Sequence, residues 1–144
     1  MSISIESLVR RPVKTLPARA TCVEAARLMR DANIGSVVVA DDREPLGVIT
    51  DRDLTLRVLA EARDPASVRI RDVMSPYPVF LSIRRRLDEA IVTMRDLGVR
   101  RLPVVDDHGH LEGIVSMDDI LAVIARQLGQ LGEAVQREIA SPNV

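Results

Sequence analysis

Two short strings carry the residue types best suited to hold a polar ligand: Thr50-Asp51-Arg52-Asp53 and Ser116-Met117-Asp118-Asp119. Each follows an apolar run, Gly47-Val48-Ile49 and Gly113-Ile114-Val115, and each sets a hydroxyl three residues ahead of a carboxylate. An ionised carboxylate accepts hydrogen bonds from adjacent hydroxyls, as on a sugar diol, and free N–H groups at a helix start suit a phosphate. The same Ser/Thr-x-x-Asp spacing is also a helix-capping pair whose acid favours the helix dipole, and on spacing alone capping explains it. The two roles are compatible.

The remaining chemistry is thin. His108 and His110 sit with Asp106 and Asp107 in a turn-like stretch, where i,i+2 spacing is poor geometry for a metal and a surface turn is the simpler reading. No metal site is assigned. Cys22 falls in the first turn of a helix without a basic partner or a recognisable triad, so a small buried residue is expected. The sequence contains no Gly-x-x-x-x-Gly-Lys-Ser/Thr loop, no His-Glu-x-x-His string and no Gly-x-Ser-x-Gly elbow, so catalytic residues are not expected.

Composition narrows the classes further. The 144 residues are 47% hydrophobic and 28% charged, enough apolar content for a core and enough charge for a soluble surface. Twenty Lys+Arg against 21 Asp+Glu leave a formal charge of −1, which gives no overall field for nucleic acid or an anionic membrane. Tyr77 and Phe80 are too few to form a base-stacking platform. The longest stretch free of Asp, Glu, Lys and Arg runs only from Val73 to Ile83 and is broken by Pro76 and Pro78, whereas a membrane helix needs about 20 apolar residues. The start of the chain does not read as a secretory signal, and a single cysteine suits a reducing compartment, so the cytoplasm is expected.

These residues must be positioned by elements, and the elements come in two copies. Laid on itself with an offset of 65 or 66, the sequence matches Pro12-Val13 with Pro78-Val79, Glu24-Ala25 with Glu89-Ala90, Met29-Arg30-Asp31 with Met94-Arg95-Asp96, Asp41-Asp42 with Asp106-Asp107, Gly47 with Gly113, and Asp53 with Asp119. Each copy reads as strand, helix, strand, strand, helix. In the first, Thr21-Cys22-Val23-Glu24 is a capping box opening a helix with Val23, Ala26, Leu28 and Met29 on its apolar side, ended near Gly35. Strands are predicted over Ser36–Ala40 and Leu46–Thr50, joined by a hairpin-like Asp41–Pro45, and the unbroken Val37-Val38-Val39 predicts burial on both faces. The second copy predicts a helix over Leu87–Leu97 and strands over Leu102–Val105 and Gly113–Ser116; Arg86 stands where a cap belongs, so this helix start is the poorer one. The division is residues 7–61 and 72–128 for the copies, a polar, Pro-interrupted connection over 62–71, and an extension over 129–144. A copy of this size exposes the apolar face of its sheet until the other covers it, so the pair is the folding unit.

The order of these elements, with Ile34-Gly35-Ser36-Val37-Val38-Val39, Gly47-Val48-Ile49-Thr50-Asp51-Arg52-Asp53-Leu54, Val99-Arg100-Arg101-Leu102-Pro103-Val104-Val105 and Gly113-Ile114-Val115-Ser116-Met117-Asp118-Asp119-Ile120, resembles the cystathionine-β-synthase (CBS) domain family over residues 7 to 128. The resemblance implies a mixed α/β (α+β) fold: two β-α-β-β-α repeats, a Bateman module, packed through their sheets with pseudo-two-fold symmetry. It also implies a stand-alone regulatory protein whose clefts between repeats bind an adenosyl ligand (AMP, ADP, ATP or S-adenosylmethionine), with no required cofactor. Within that frame Asp53 and Asp119 are ribose-binding candidates, and Thr50 and Ser116 ribose or phosphate candidates. Arg100 and Arg101 are phosphate candidates because a guanidinium binds phosphate oxygens in pairs, and the first copy has Gly35-Ser36 at the matching positions. Arg52 is a weaker phosphate candidate, as are Arg10 and Arg11, each equally a solvated surface charge. Val13, Thr15, Ile34 and Val79 are candidates for the adenine pocket and equally good core positions. The rival expectation is a scaffold with empty clefts that dimerises or docks on a separate enzyme or transporter.

Beyond Asp119 the sequence predicts a long helix with Ile120, Ile124, Leu128, Leu131, Val135 and Ile139 on one stripe, weakened by Gly129 and Gly132. Its extension past Gln127 is expected to pack on a second subunit, giving a homodimer, rather than back on its own chain.

Overall fold

The computed structural model describes residues 3–76 and 79–140; Tyr77, Pro78 and the last four positions of the expected extension lie outside the described residues. Two three-stranded sheets carry the two copies. In the first, β1 (Thr15–Leu16) runs parallel to β2 (Ser36–Asp41), and β2 pairs antiparallel with β3 (Glu44–Thr50). In the second, β4 (Leu81–Ser82), β5 (Arg101–Val105) and β6 (Leu111–Ser116) repeat the order and the directions. The helices are α1 (Cys22–Ala32), a short α2 (Asp51–Leu54) that continues into a wider i→i+5 turn over Thr55–Leu59, α3 (Leu87–Leu97) and α4 (Met117–Ala140). A 3-10 turn over Ile5–Leu8 precedes them all.

Local chemistry accounts for most of these boundaries. At α1, Thr21 and Glu24 form the expected reciprocal box: Thr21 Oγ1 accepts from Glu24 N–H at 3.2 Å and Glu24 accepts from Thr21 N–H at 2.6 Å. At α3 only one half exists. Glu89 accepts from Arg86 N–H at 2.9 Å, and a guanidinium has no lone pair to return. The end of α1 is set by Asn33, which takes the left-handed conformation (φ 53°), rather than by Gly35; Gly98 (φ 66°) does the same for α3. The buried side of α1 is Cys22, Ala25 and Met29, displacing the expected Val23 and Ala26, of which Ala26 is exposed. Cys22 is the small buried residue expected, and burial pushes its thiol up from the ordinary range. Val37, Val38 and Val39 are all buried, as an unbroken valine run requires. The β2–β3 hairpin closes through Asp42 and Arg43, both with positive φ (48° and 67°), the geometry of a tight twisted turn. In the β5–β6 turn Asp106 accepts from the N–H groups of His108 and His110 at 2.8 and 2.9 Å, and among the described residues no cluster of His, Cys, Asp and Glu fits a metal.

Each repeat borrows from the chain that leads into the other. Ile5 and Leu8 are buried in the core of the second repeat, with Leu81, Met94, Leu102, Val104 and Val115. Ile70 and Val73 are buried in the core of the first, with Met29, Val37, Val39 and Ile49. Beyond the outer edge of each sheet lies a matching bridge: Arg10 pairs with Ile114 on β6, and Ser75 pairs with Val48 on β3. This reciprocal clasp explains the shared glycines. A Cβ at Gly47 would lie 2.6 Å from the Ser75 carbonyl oxygen; one at Gly113 would lie 2.6 Å from that of Arg10 and collide with Val9.

Candidate functional site

The clasp leaves a groove of about 180 Å³ between the repeats. Its walls are Pro12, Val13, Lys14, Ile34, Ser36 and Val38 from the first repeat, with Arg101 and Ile114 from the second. A second, more polar hollow of about 350 Å³ shares Pro12 and Val13 and adds Thr15, Asp42 and Arg43 from the first repeat and Leu111 and Glu112 from the second. The β2–β3 hairpin turn closes that end: Leu111 N–H donates to the Arg43 carbonyl at 2.6 Å.

Sheet register places both hydroxyl-acid pairs next to this groove. Thr50 is the cross-strand partner of Ser36 on β2–β3, and Ser116 is the partner of Arg101 on β5–β6. Asp51 N–H donates to the Gly35 carbonyl at 3.0 Å, and a Cβ on Gly35 would meet the Asp51 carboxylate at 3.2 Å. The start of α2 therefore abuts the backbone between Ile34 and Ser36, two groove residues.

The two acids are engaged differently. Asp53 is buried and forms a full capping box: its Oδ2 accepts from Thr50 N–H at 2.9 Å, and Thr50 Oγ1 accepts from Asp53 N–H at 3.0 Å. Its Oδ1 lies 3.6 Å from an Arg57 guanidinium nitrogen. At the start of α4, Ser116 Oγ accepts from Asp119 N–H at 3.1 Å, and both carboxylate oxygens go to Arg10, which donates through Nε at 2.7 Å and Nη2 at 2.6 Å. That bidentate pair, with the Ser116 hydroxyl adding to it, holds the Asp119 carboxyl below its usual range against the opposing effect of burial.

The other candidates scatter. Val13 and Ile34 meet in the groove with Arg101, whereas Thr15 lines the neighbouring hollow. Val79 is exposed and directly follows the two undescribed positions. Arg100 turns to Asp118 at 2.7 Å, Arg11 reaches Glu112 at 3.3 Å, and Arg52 lies on the exposed side of α2. Lys14, Ser36, Val38 and Ile114 join the site without having been singled out as ligand contacts. For Lys14 a signal was available: it is the chain's one lysine, beside Val13. For Ile114 and Val38 the sequence offers no signal, because an apolar strand residue in a groove has the same identity as one in the core.

Comparison with known proteins settles what this duplicated architecture is. The model of the CBS domain matches twice, over residues 5–60 and 70–126. The chain belongs to the CBS-domain family. A CBS domain-containing protein of Bacillus subtilis, YhcV, is 34% identical over 81% of this chain and 82% of its own length. An uncharacterised protein of Methanopyrus kandleri is 44% identical over 85% of this chain, which spans 63% of that relative's length. Among solved structures, a CBS domain protein of Pyrobaculum aerophilum complexed with AMP superimposes with a TM-score of 0.73 at 27% identity, covering 81% of this chain and 89% of the other. The two matches make a tandem pair of CBS domains, and no helix among the described residues is long and apolar enough to cross a membrane.

Proposed function

We propose that this CBS pair is a regulatory module that binds an adenosyl ligand (AMP, ADP, ATP or S-adenosylmethionine) between its repeats and reports occupancy through altered contacts of a homodimer, or of a separate enzyme or transporter. The observation that carries the reading is the groove itself: an aliphatic lining built by both repeats, Val13, Ile34 and Val38 with Ile114, together with two exposed cations, Lys14 and Arg101. A purine ring suits the aliphatic wall and a phosphate the cations. Asp53 and Thr50, one strand away, are assigned to the ribose side. Asp119, Ser116 and Val79 are their counterparts in the second repeat, with Arg100 and Arg52 as outer phosphate contacts and Thr15 extending the base pocket. The relative complexed with AMP supports the ligand class. The module is assigned no catalysis of its own, and the cytoplasm is the compartment that fits.

Thermal unfolding with AMP, ADP, ATP and S-adenosylmethionine tests this directly. A ligand at 100 times its dissociation constant adds about 2.7 kcal/mol, which moves the midpoint of a chain this size by several degrees. Arg101→Ala is expected to reduce the shift for the phosphate-bearing ligands and leave that for adenosine unchanged, and the Asp53→Ala, Asp119→Ala double variant to reduce all of them. Absence of any shift at millimolar ligand would favour the scaffold reading. One observation already leans that way: both carboxylate oxygens of Asp119, the candidate ribose acceptor of the second repeat, are taken by Arg10.

A further inference from the structure

The first repeat keeps open a charged hollow that the second repeat bridges with an ion pair. The sheets set the correspondence: Leu16 pairs with Val39 as Leu81 pairs with Val104, and Ile70 N–H donates to the Ala20 carbonyl as Ile5 N–H donates to that of Arg85. Arg19 therefore answers to Arg84, Asp42 to Asp107, and Arg71, on the clasping segment, to Glu6. In the second repeat Arg84 closes on Asp107 through Nε at 2.7 Å and Nη2 at 2.5 Å.

In the first repeat Arg19 and Asp42 instead line a hollow of about 500 Å³, together with Arg71, Asp41, Pro17 and Ala40. Among the described residues, no hydrogen bond or ion pair engages the side chain of Arg19, Arg71 or Asp42. Glu24 is lowered chiefly by the Thr21 N–H it accepts from and least by Arg19, so it stays with its own helix cap. Asp41 steadies the wall, its Oδ1 accepting from Ala18 N–H at 3.1 Å.

The lining selects its ligand. Two guanidiniums offer paired donors to a carboxylate, and the Asp42 carboxylate accepts from an ammonium. With two positive and two negative groups around it, a phosphate meets the acids and a simple cation meets the arginines. A molecule carrying both charges a few bonds apart satisfies both sets. We propose that this hollow binds a free α-amino acid, its carboxylate held by Arg19 and Arg71 and its ammonium by Asp42. The second repeat lacks the site, because Arg84 occupies Asp107 and Glu6 stands in place of Arg71. The volume lies in the range of small-molecule sites and leaves room for a side chain beside Pro17 and Ala40. All four charged groups are exposed, so solvent weakens each contact, and binding is expected at millimolar concentration and to fall with salt. The hollow shares no residue with the groove of Val13, Ile34 and Arg101 and does not rest on adenosyl binding, so it is tested without nucleotide.

NMR titration of the ¹⁵N-labelled full chain with glycine, L-alanine, L-leucine and L-glutamate in turn reads the Nε–H groups of Arg19 and Arg71 and the amide of Ala18. Saturable shifts at these groups are expected with at least one amino acid, and binding at least about fivefold weaker with acetate or methylammonium alone. Asp42→Asn keeps a residue that tolerates the positive φ of 48°, and Arg71→Glu copies the second repeat at an exposed position. Each should weaken binding at least about fivefold while the rest of the spectrum stays that of the folded chain. Arg84→Ala should leave binding unchanged. Absence of a saturable shift with all four amino acids, equal binding of acetate, or indifference to Asp42→Asn overturns the proposal.

Discussion

The starts of α2 and α4 share one sequence pattern and one hydroxyl cap, Thr50 and Ser116 each accepting from the N–H of the acid three residues on, yet their acids serve different neighbours. Asp53 turns back to its own helix and closes a box with Thr50. Asp119 turns away and holds Arg10, 109 residues distant in sequence. The cause lies in the clasp. The segment that crosses to the second sheet presents Arg10 beside β6, and the equivalent segment on the first sheet presents Ser75 beside β3. A charged residue at one crossing and a neutral one at the other is enough to divert a carboxylate, since a bidentate charge-assisted pair competes well with a single backbone N–H. Pseudo-symmetric repeats thus share a fold while their candidate ligand groups diverge.

The comparison can be broken most severely at the clasp. Ile5 is fully buried in the second repeat although it lies ahead of the first, so Ile5→Ala should cost about 2–5 kcal/mol in denaturant unfolding. A near-neutral result would mean that the leading segment does not clasp the second sheet and that Arg10 is not held at Asp119. The glycines come next. Gly47→Ala and Gly113→Ala each force a methyl against a backbone carbonyl, an overpacking of about 1–3 kcal/mol, with Gly113→Ala the worse because Val9 stands in the way as well. Equal melting temperatures for both variants and wild type would remove the close approach on which the clasp depends.

The smallest effect is the sharpest. Replacing Arg10 by the residue at the equivalent crossing, Arg10→Ser, should raise the Asp119 carboxyl back towards the ordinary carboxylate range, read by NMR titration of its side chain. In the wild type the folded value lies below the unfolded one. The pair's contribution to stability is therefore complete above the usual carboxylate range and is lost as pH falls through the depressed folded value. Stability of Arg10→Ser should depend less on pH in that acid window. An unchanged titration would place Arg10 in solvent and make the two acids equivalent.

Much of the fold was legible because it is written in local patterns. The Thr21 and Thr50 boxes depend on residues three apart, the buried valine strand on an unbroken run, and the poor start of α3 on Arg86 being unable to accept a hydrogen bond. The end of α1 lies at Asn33 rather than at Gly35 because the asparagine itself adopts the left-handed conformation that glycine supplies more easily. Of the candidate site, the sequence singles out Val13, Ile34 and Arg101 by type and position, and these three line one groove. Ile114 and Val38 were passed over because a groove residue on a strand has the same apolar identity as a core residue.

By itself the sequence determined the duplication, the order of elements in each copy and where the acids and cations stand along them, because helix caps, strand runs and turns are decided within a few residues. The tertiary structure alone decided that residues 5 to 10 serve the second repeat and residues 70 to 75 the first, and hence which carboxylate meets Arg10. Those contacts join positions far apart in the chain. Their geometry exists only once both sheets have formed and each leading segment has found the open edge of the other.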